Sequence, residues 1–179
     1  MKLIRHYSQI LLRLANNVSY NRKLYEDADR GGIMEAEHKK VRMILRTIIT
    51  DEGDTEKNEL SHHGYFYRNQ TFDVIKFDEQ LETGGKVRNL ITLQKEKVTI
   101  KRTGAVSMNQ KFQANKITEN VYHHPHGTIH METFTDSIRY QPPGKKKDGC
   151  LQISYHVKLN GLKNRKHDLM LTIKEEIPQ

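Results

Sequence analysis

Residues 96–140, EKVTIKRTGAVSMNQKFQANKITENVYHHPHGTIHMETFTDSIRY, are a succession of short runs rich in Val, Ile, Thr, Tyr and Phe. Gly104, Asn115, Pro125 and Gly127 punctuate them. β-Branched and aromatic side chains suit a pleated, half-buried surface, whereas Gly, Asn and Pro supply the dihedrals that turns need. The spacing predicts strands over Val98–Arg102, Ala105–Phe112, Asn120–Tyr122 and Thr128–Ile138. Gly104 falls between two of these runs, where a glycine marks a bulge or a sharp bend.

Working outward, the same pattern holds on both sides. Val41, Met43, Leu45, Thr47 and Ile49 alternate with Arg42, Ile44, Arg46, Ile48 and Thr50, the period of a strand. Asp51-Glu52-Gly53-Asp54 is a turn, followed by Leu60 and the run Tyr65-Phe66-Tyr67. A turn at Asn69-Gln70 leads into Thr71–Leu81, and Thr83-Gly84-Gly85-Lys86 turns the chain into Val87–Leu93. On the C-terminal side, Leu151–Leu159 and Asp168–Lys174 flank Asn160-Gly161. These are about ten short runs with no helical segment between them, which excludes parallel βαβ crossovers. A meander of that many antiparallel strands must close or stack to protect its edges, and up-and-down connectivity favours a barrel of about 8–10 strands.

The bulk composition narrows the function. At 179 residues the chain has room for one domain with a substantial core. Only 7% of residues are aromatic and none is Trp, which argues against a platform of many rings for stacking bases. The single cysteine, Cys150, makes an internal disulfide or a Cys-based zinc site unworkable and suits a reducing cytoplasm. No apolar run approaches the length of a membrane span. The formal charge of +8 invites an anionic partner, RNA or an acidic protein, with Lys145-Lys146-Lys147 as the densest cluster. The plain alternative for those lysines is a solvated Pro/Gly loop.

Residues 1–33 form an N-terminal extension unlike the single barrel domain at 34–179. Ile4, Tyr7, Leu11, Leu14 and Val18 fall at helical spacing among Arg5, Arg13, Arg22 and Lys23, predicting a short basic amphipathic helix. It could cap the barrel or lie on an anionic membrane surface. Its apolar core is too short for a secretory signal. Asp29-Arg30-Gly31-Gly32-Ile33 before Met34 is also what a purine-rich ribosome-binding tract spells when translated, so the natural chain is expected to start at Met34, with residues 1–33 an overextension of the gene start.

Several residues resemble, in order and spacing, those of the YwiB-like bacterial proteins. They are Phe77-Asp78-Glu79, Thr83-Gly84, Arg102-Thr103-Gly104, Ser107-Met108 with Phe112, Tyr122, Pro125 and Gly127 with Thr135, and Leu151 with Tyr155. The likeness spans roughly residues 40–175. It implies a small lipocalin-like (calycin) antiparallel β-barrel, a domain of unknown function with no enzymatic activity implied. The turn expected as Thr-Pro-aromatic-Gly is here His124-Pro125-His126-Gly127, so any role of a ring at position 126 passes to an imidazole.

Two groups of residues could carry chemistry. Glu79 continues the face of Ile75 and Phe77, and Arg102 that of Val98 and Ile100, so strict alternation points both charges inward. An inward Arg keeps its proton and needs a carboxylate or an anionic ligand. One reading is a mutually satisfied pair closing a packed core. The other makes Arg102 and Glu79, with Tyr67, Tyr122, Tyr155 and His126, the site of a small, partly apolar or acidic ligand. A bulge at Gly104 would turn Arg102 outward and remove both. His123, His124, His126 and His130 cluster in sequence, with His62-His63 before another turn, but alternation puts His130 on the solvent face opposite Ile129 and Met131. No metal or cofactor motif, nucleophile elbow or phosphate loop is present, so catalysis has no support in the sequence. The expected function is non-enzymatic binding of a small ligand inside the barrel, with the basic surface as the alternative. Intact mass of the protein from its native source tests the start: the value for residues 34–179 is expected, and one that includes residues 1–33 overturns it.

Overall fold

The computed structural model describes residues 38–81, 84–144 and 147–176. The predicted N-terminal helix and the start at Met34 lie outside them. The described chain is ten antiparallel strands: β1 (His38–Asp51), β2 (Asp54–Arg68), β3 (Asp73–Gln80), β4 (Lys86–Leu93), β5 (Lys97–Gly104), β6 (Met108–Gln113), β7 (Lys116–His124), β8 (Gly127–Gln141), β9 (Gly149–Leu159) and β10 (Arg165–Glu175). Their order across the sheet is β6-β5-β4-β3-β2-β1-β10-β9-β8-β7. Every neighbour is therefore consecutive in sequence except β1 and β10, which pair from Val41↔Glu175 to Thr50↔Lys166. The two outer strands, β6 and β7, are joined by the turn at Ala114-Asn115 and meet again at a single bridge between Ser107 and His123. The sheet is thus a nearly closed up-and-down barrel with one seam.

Alternation fills the interior. Val41 and Met43, Ile75, Val87 and Ile91, Phe112, Met131, Leu151 and Ile153, and Leu171 and Ile173 point into one core. At about 25 cal/mol per Å² of apolar surface removed from water, such side chains each contribute roughly 1.5–3 kcal/mol. The outward positions carry cross-strand ion pairs such as Arg46–Glu59 and Lys158–Glu132. Exposed pairs of this kind contribute about 0–1 kcal/mol, so the mixed charges solubilise the wall more than they hold it.

Two local features depart from the sequence reading. β2 begins at Asp54, directly after a two-residue turn in which Glu52 and Gly53 both take positive φ (47° and 96°). Its first half, Asp-Thr-Glu-Lys-Asn-Glu, tolerates so much charge because it pairs with β1 alone. The β2–β3 ladder covers only Tyr65–Arg68. At Gly104 there is no bulge within β5: the register from Leu93↔Val98 to Val87↔Gly104 is unbroken, and Arg102 stays inward.

Gly104 instead makes a corner. Its φ of +117° lets the Ala105 N–H reach the Lys86 carbonyl (2.9 Å), after which the chain crosses to the Ser107–His123 bridge. A Cβ there would sit 2.4 Å from that carbonyl oxygen, whereas one at Gly53 would meet nothing within 4 Å. Gly104→Ala is expected to lose about 3 kcal/mol of stability in urea unfolding, and Gly53→Ala about 1 kcal/mol, since only the former adds a backbone clash to the dihedral strain. Equal losses would show that the corner is not sterically set.

Candidate functional site

β3, β4 and β5 bring three polar side chains to one wall of the interior. Asn89 stands opposite both Phe77 and Arg102 in the two ladders, with Glu79 one pleat further along β3. Arg102, 5% exposed, donates from Nη2 to Glu79 Oε2 at 2.6 Å, and Asn89 Nδ2 lies 3.5 Å from the same oxygen. The side chain of Glu79 is 14% exposed, so the pair sits in a medium where two opposite charges must stay together. The inward placement follows from alternation alone.

A cavity of about 90 Å³ runs inside the barrel along this wall. Its lining includes Glu79, Asn89 and Arg102, the apolar Leu45, Ile91, Ile100, Phe112 and Leu171, and Tyr155 and His167. At about 30 Å³ per water, it has room for roughly three. A drug-sized ligand needs about 300 Å³ or more. The half-buried Leu60, His62, Phe77 and Glu79 edge the cavity where β2 and β3 diverge beyond their short ladder, and the rings of His62 and Phe77 meet there at 4.9 Å. Burial lowers the pKa of His62, partly offset by the nearby Glu79 carboxylate. A larger groove of about 610 Å³ lies over the outer face between Arg46, Lys57, Glu59, Arg139 and Asp168. It is the more open to solvent of the two, whereas the interior cavity is more sheltered and has convergent polar groups, the arrangement expected of a specific site.

The other predicted residues divide. Tyr122 is buried, and desolvation raises its phenol pKa; Arg102 and Glu79 both act on it electrostatically. Tyr155 lines the cavity, packs its edge against Phe112 (4.9 Å) and stacks on His167 (5.0 Å, 17°). Tyr67 does not join them. Phe66 takes the inward position of that aromatic run, leaving Tyr67 outside against His38 and under the Lys76 ammonium. His126 is likewise outside, exposed in the β7–β8 turn against His124. His130 is exposed, and among the described residues no group of three or more His, Cys, Asp or Glu could hold a metal. His62-His63 lie within β2 rather than before a turn, and Cys150, on β9, is half-buried. Lys147 is exposed in a tight turn closed by reciprocal Gly144–Lys147 backbone hydrogen bonds, while Lys145 and Lys146 lie outside the described residues.

The structure adds inward polar residues that the sequence reading passed over. Gln110 donates to the Thr133 hydroxyl (3.3 Å) across the barrel seam, and Tyr140 donates to the buried Asp73 carboxylate (2.5 Å). His167 is fully buried on the inward face of β10, in step with Leu169, Leu171 and Ile173. Burial lowers its pKa to about 4, with the positive charge of Arg165 acting in the same direction. Extending the alternation of β10 by one inward position would have found it.

A folded pKa below the unfolded value of about 6.5 means that the unfolded chain takes up the proton first. The associated stability is fully present above pH 6.5 and is lost as pH falls toward about 4. The loss amounts to about 3 kcal/mol from His167. Urea unfolding of His167→Leu should show a correspondingly flatter slope over that window, with a residual slope from His62. An unchanged slope would remove His167 as its source.

Comparison with known proteins agrees with this architecture. Over 132 residues the chain is 26% identical to the uncharacterized beta-barrel protein YwiB of Bacillus subtilis, covering 74% of this chain and 91% of that protein. The crystal structure of the Bacillus subtilis ywiB protein superposes with a TM-score of 0.67 at 24% identity, covering 78% of this chain and 94% of the other, and so shares the fold. Residues 43–171 match the family described as a domain of unknown function, DUF1934, and with the barrel they span the chain is a member of that family.

Proposed function

We propose that the protein is a non-enzymatic binder of a small, partly apolar ligand held inside the barrel. The observation that carries this reading is the interior cavity with apolar walls and a buried Arg102–Glu79–Asn89 cluster on one side. The guanidinium is already answered by Glu79, so an acidic head group would bring a third charge into a low-dielectric interior. A neutral hydrogen-bonding head group fits better. The cavity volume sets the size: a few heavy atoms, with growth only where the half-buried residues between β2 and β3 yield. The basic surface supports a second reading, in which RNA or an acidic protein binds outside, although several outward lysines and arginines already face carboxylates.

Native mass spectrometry of the full chain purified from cells, set against its denatured mass, tests this. The expected result is a small added mass that vanishes on denaturation. Its occupancy should fall about tenfold in the double variant Glu79→Gln/Arg102→Met, which removes both charges together and avoids stranding one in the core. A bare chain overturns the interior site, and an added mass that the double variant retains removes the Arg102–Glu79 pair from it. Co-purifying RNA released by high salt supports the outer surface instead.

A further inference from the structure

The strongest unexplained chemistry in the molecule is on the wall of the same cavity. His167 is 0% exposed, and neither ring nitrogen has a hydrogen-bond partner among the described residues. A neutral imidazole carries one donor and one acceptor. A buried donor or acceptor left without a partner is destabilising. An apolar residue in this inward position of β10, like Leu169 and Leu171 beside it, would avoid that cost entirely. Tyr155 covers one face of the ring and holds its plane, as a positioned hydrogen-bonding group requires.

We infer that His167 is the head-group residue of the interior site, and that the ligand's head is a neutral group that both donates and accepts hydrogen bonds. A short aliphatic alcohol or primary carboxamide has that chemistry. This rests on the interior-binding reading and deepens it. The aliphatic part of such a molecule lies against Leu45, Phe112 and Leu171, and its head meets the imidazole. The size agrees, since three or four carbons and one polar group match a cavity of about 90 Å³. Carboxylates are excluded by the same argument, because at neutral pH an uncharged imidazole offers no compensating charge.

The test uses the full chain with ¹⁵N-labelled histidine near neutral pH, titrated separately with propionamide, 1-propanol and xenon. The imidazole nitrogens of His167, assigned by their loss in His167→Gln, are followed directly. Saturable shifts with propionamide or 1-propanol are expected, the stronger of the two identifying the head group. In His167→Leu the affinity for that probe should fall about tenfold, one hydrogen bond's worth, while xenon still enters. If xenon enters but neither polar probe moves the His167 nitrogens, or if His167→Leu binds the polar probe unchanged, the assignment is wrong and interior binding stands without it. If xenon does not enter the wild type either, the interior is closed to small molecules and both readings fall. Should His167→Leu not fold, the wild-type nitrogen shifts decide alone.

Discussion

The pairing of β1 with β10 joins parts of the chain more than a hundred residues apart, and the interior depends on it. Eight ladders between consecutive strands lay the rest side by side, but without this one they would make two open, twisted sheets joined at the β6–β7 turn, with both faces wet. Long-range pairing of this kind forms against the entropy of closing a large loop, although that cost grows only slowly with length. Once formed, it turns one face of every strand away from water. The low-dielectric interior that results makes Glu79 obligatory for Arg102, and lowers the pKa of His167.

The seam on the opposite side is closed by different means. β6 and β7 share a tight turn and one backbone bridge, and side chains do the remaining work. Thr118 Oγ1 donates to the Lys111 carbonyl (2.6 Å), and Gln110 reaches Thr133 on β8. A hydroxyl or amide replacing a ladder rung satisfies the backbone without imposing a register. The wall is therefore continuous around most of its circumference and stitched along one line. The gap between β2 and β3 is a second discontinuity, filled by the His62 and Phe77 rings.

How much could be read in the sequence follows from where alternation applies. Glu79 and Arg102 were placed inward because each ends a run whose apolar members occupy every second position. Tyr67 cannot be placed by alternation because Tyr65-Phe66-Tyr67 has no polar contrast to choose a face, and the buried Phe66 settles it. His126 sits in a turn, where the period stops. His167 escapes the pattern because Asn164-Arg165-Lys166 looks like the end of a loop, which moves the expected strand start to Asp168. The Gln110–Thr133 contact crosses the seam between strands that are not ladder partners, and no local pattern encodes that. Polar residues at inward positions break the local rule that built the fold, and such breaks concentrate where a protein does something other than stay folded.

The β1–β10 ladder also sets how the barrel meets mechanical load. The start of β1 and the end of β10 lie at the same pole, with Val41 opposite Glu175 as the first rung and the Glu176 N–H bonded to the Lys40 carbonyl beyond it. A force drawing those two strand ends apart acts across the hydrogen bonds rather than along the strands. It loads one rung at a time, in the manner of a zip, instead of shearing the whole ladder together. The barrel would therefore yield to a force parting those two ends at the closure that defines it.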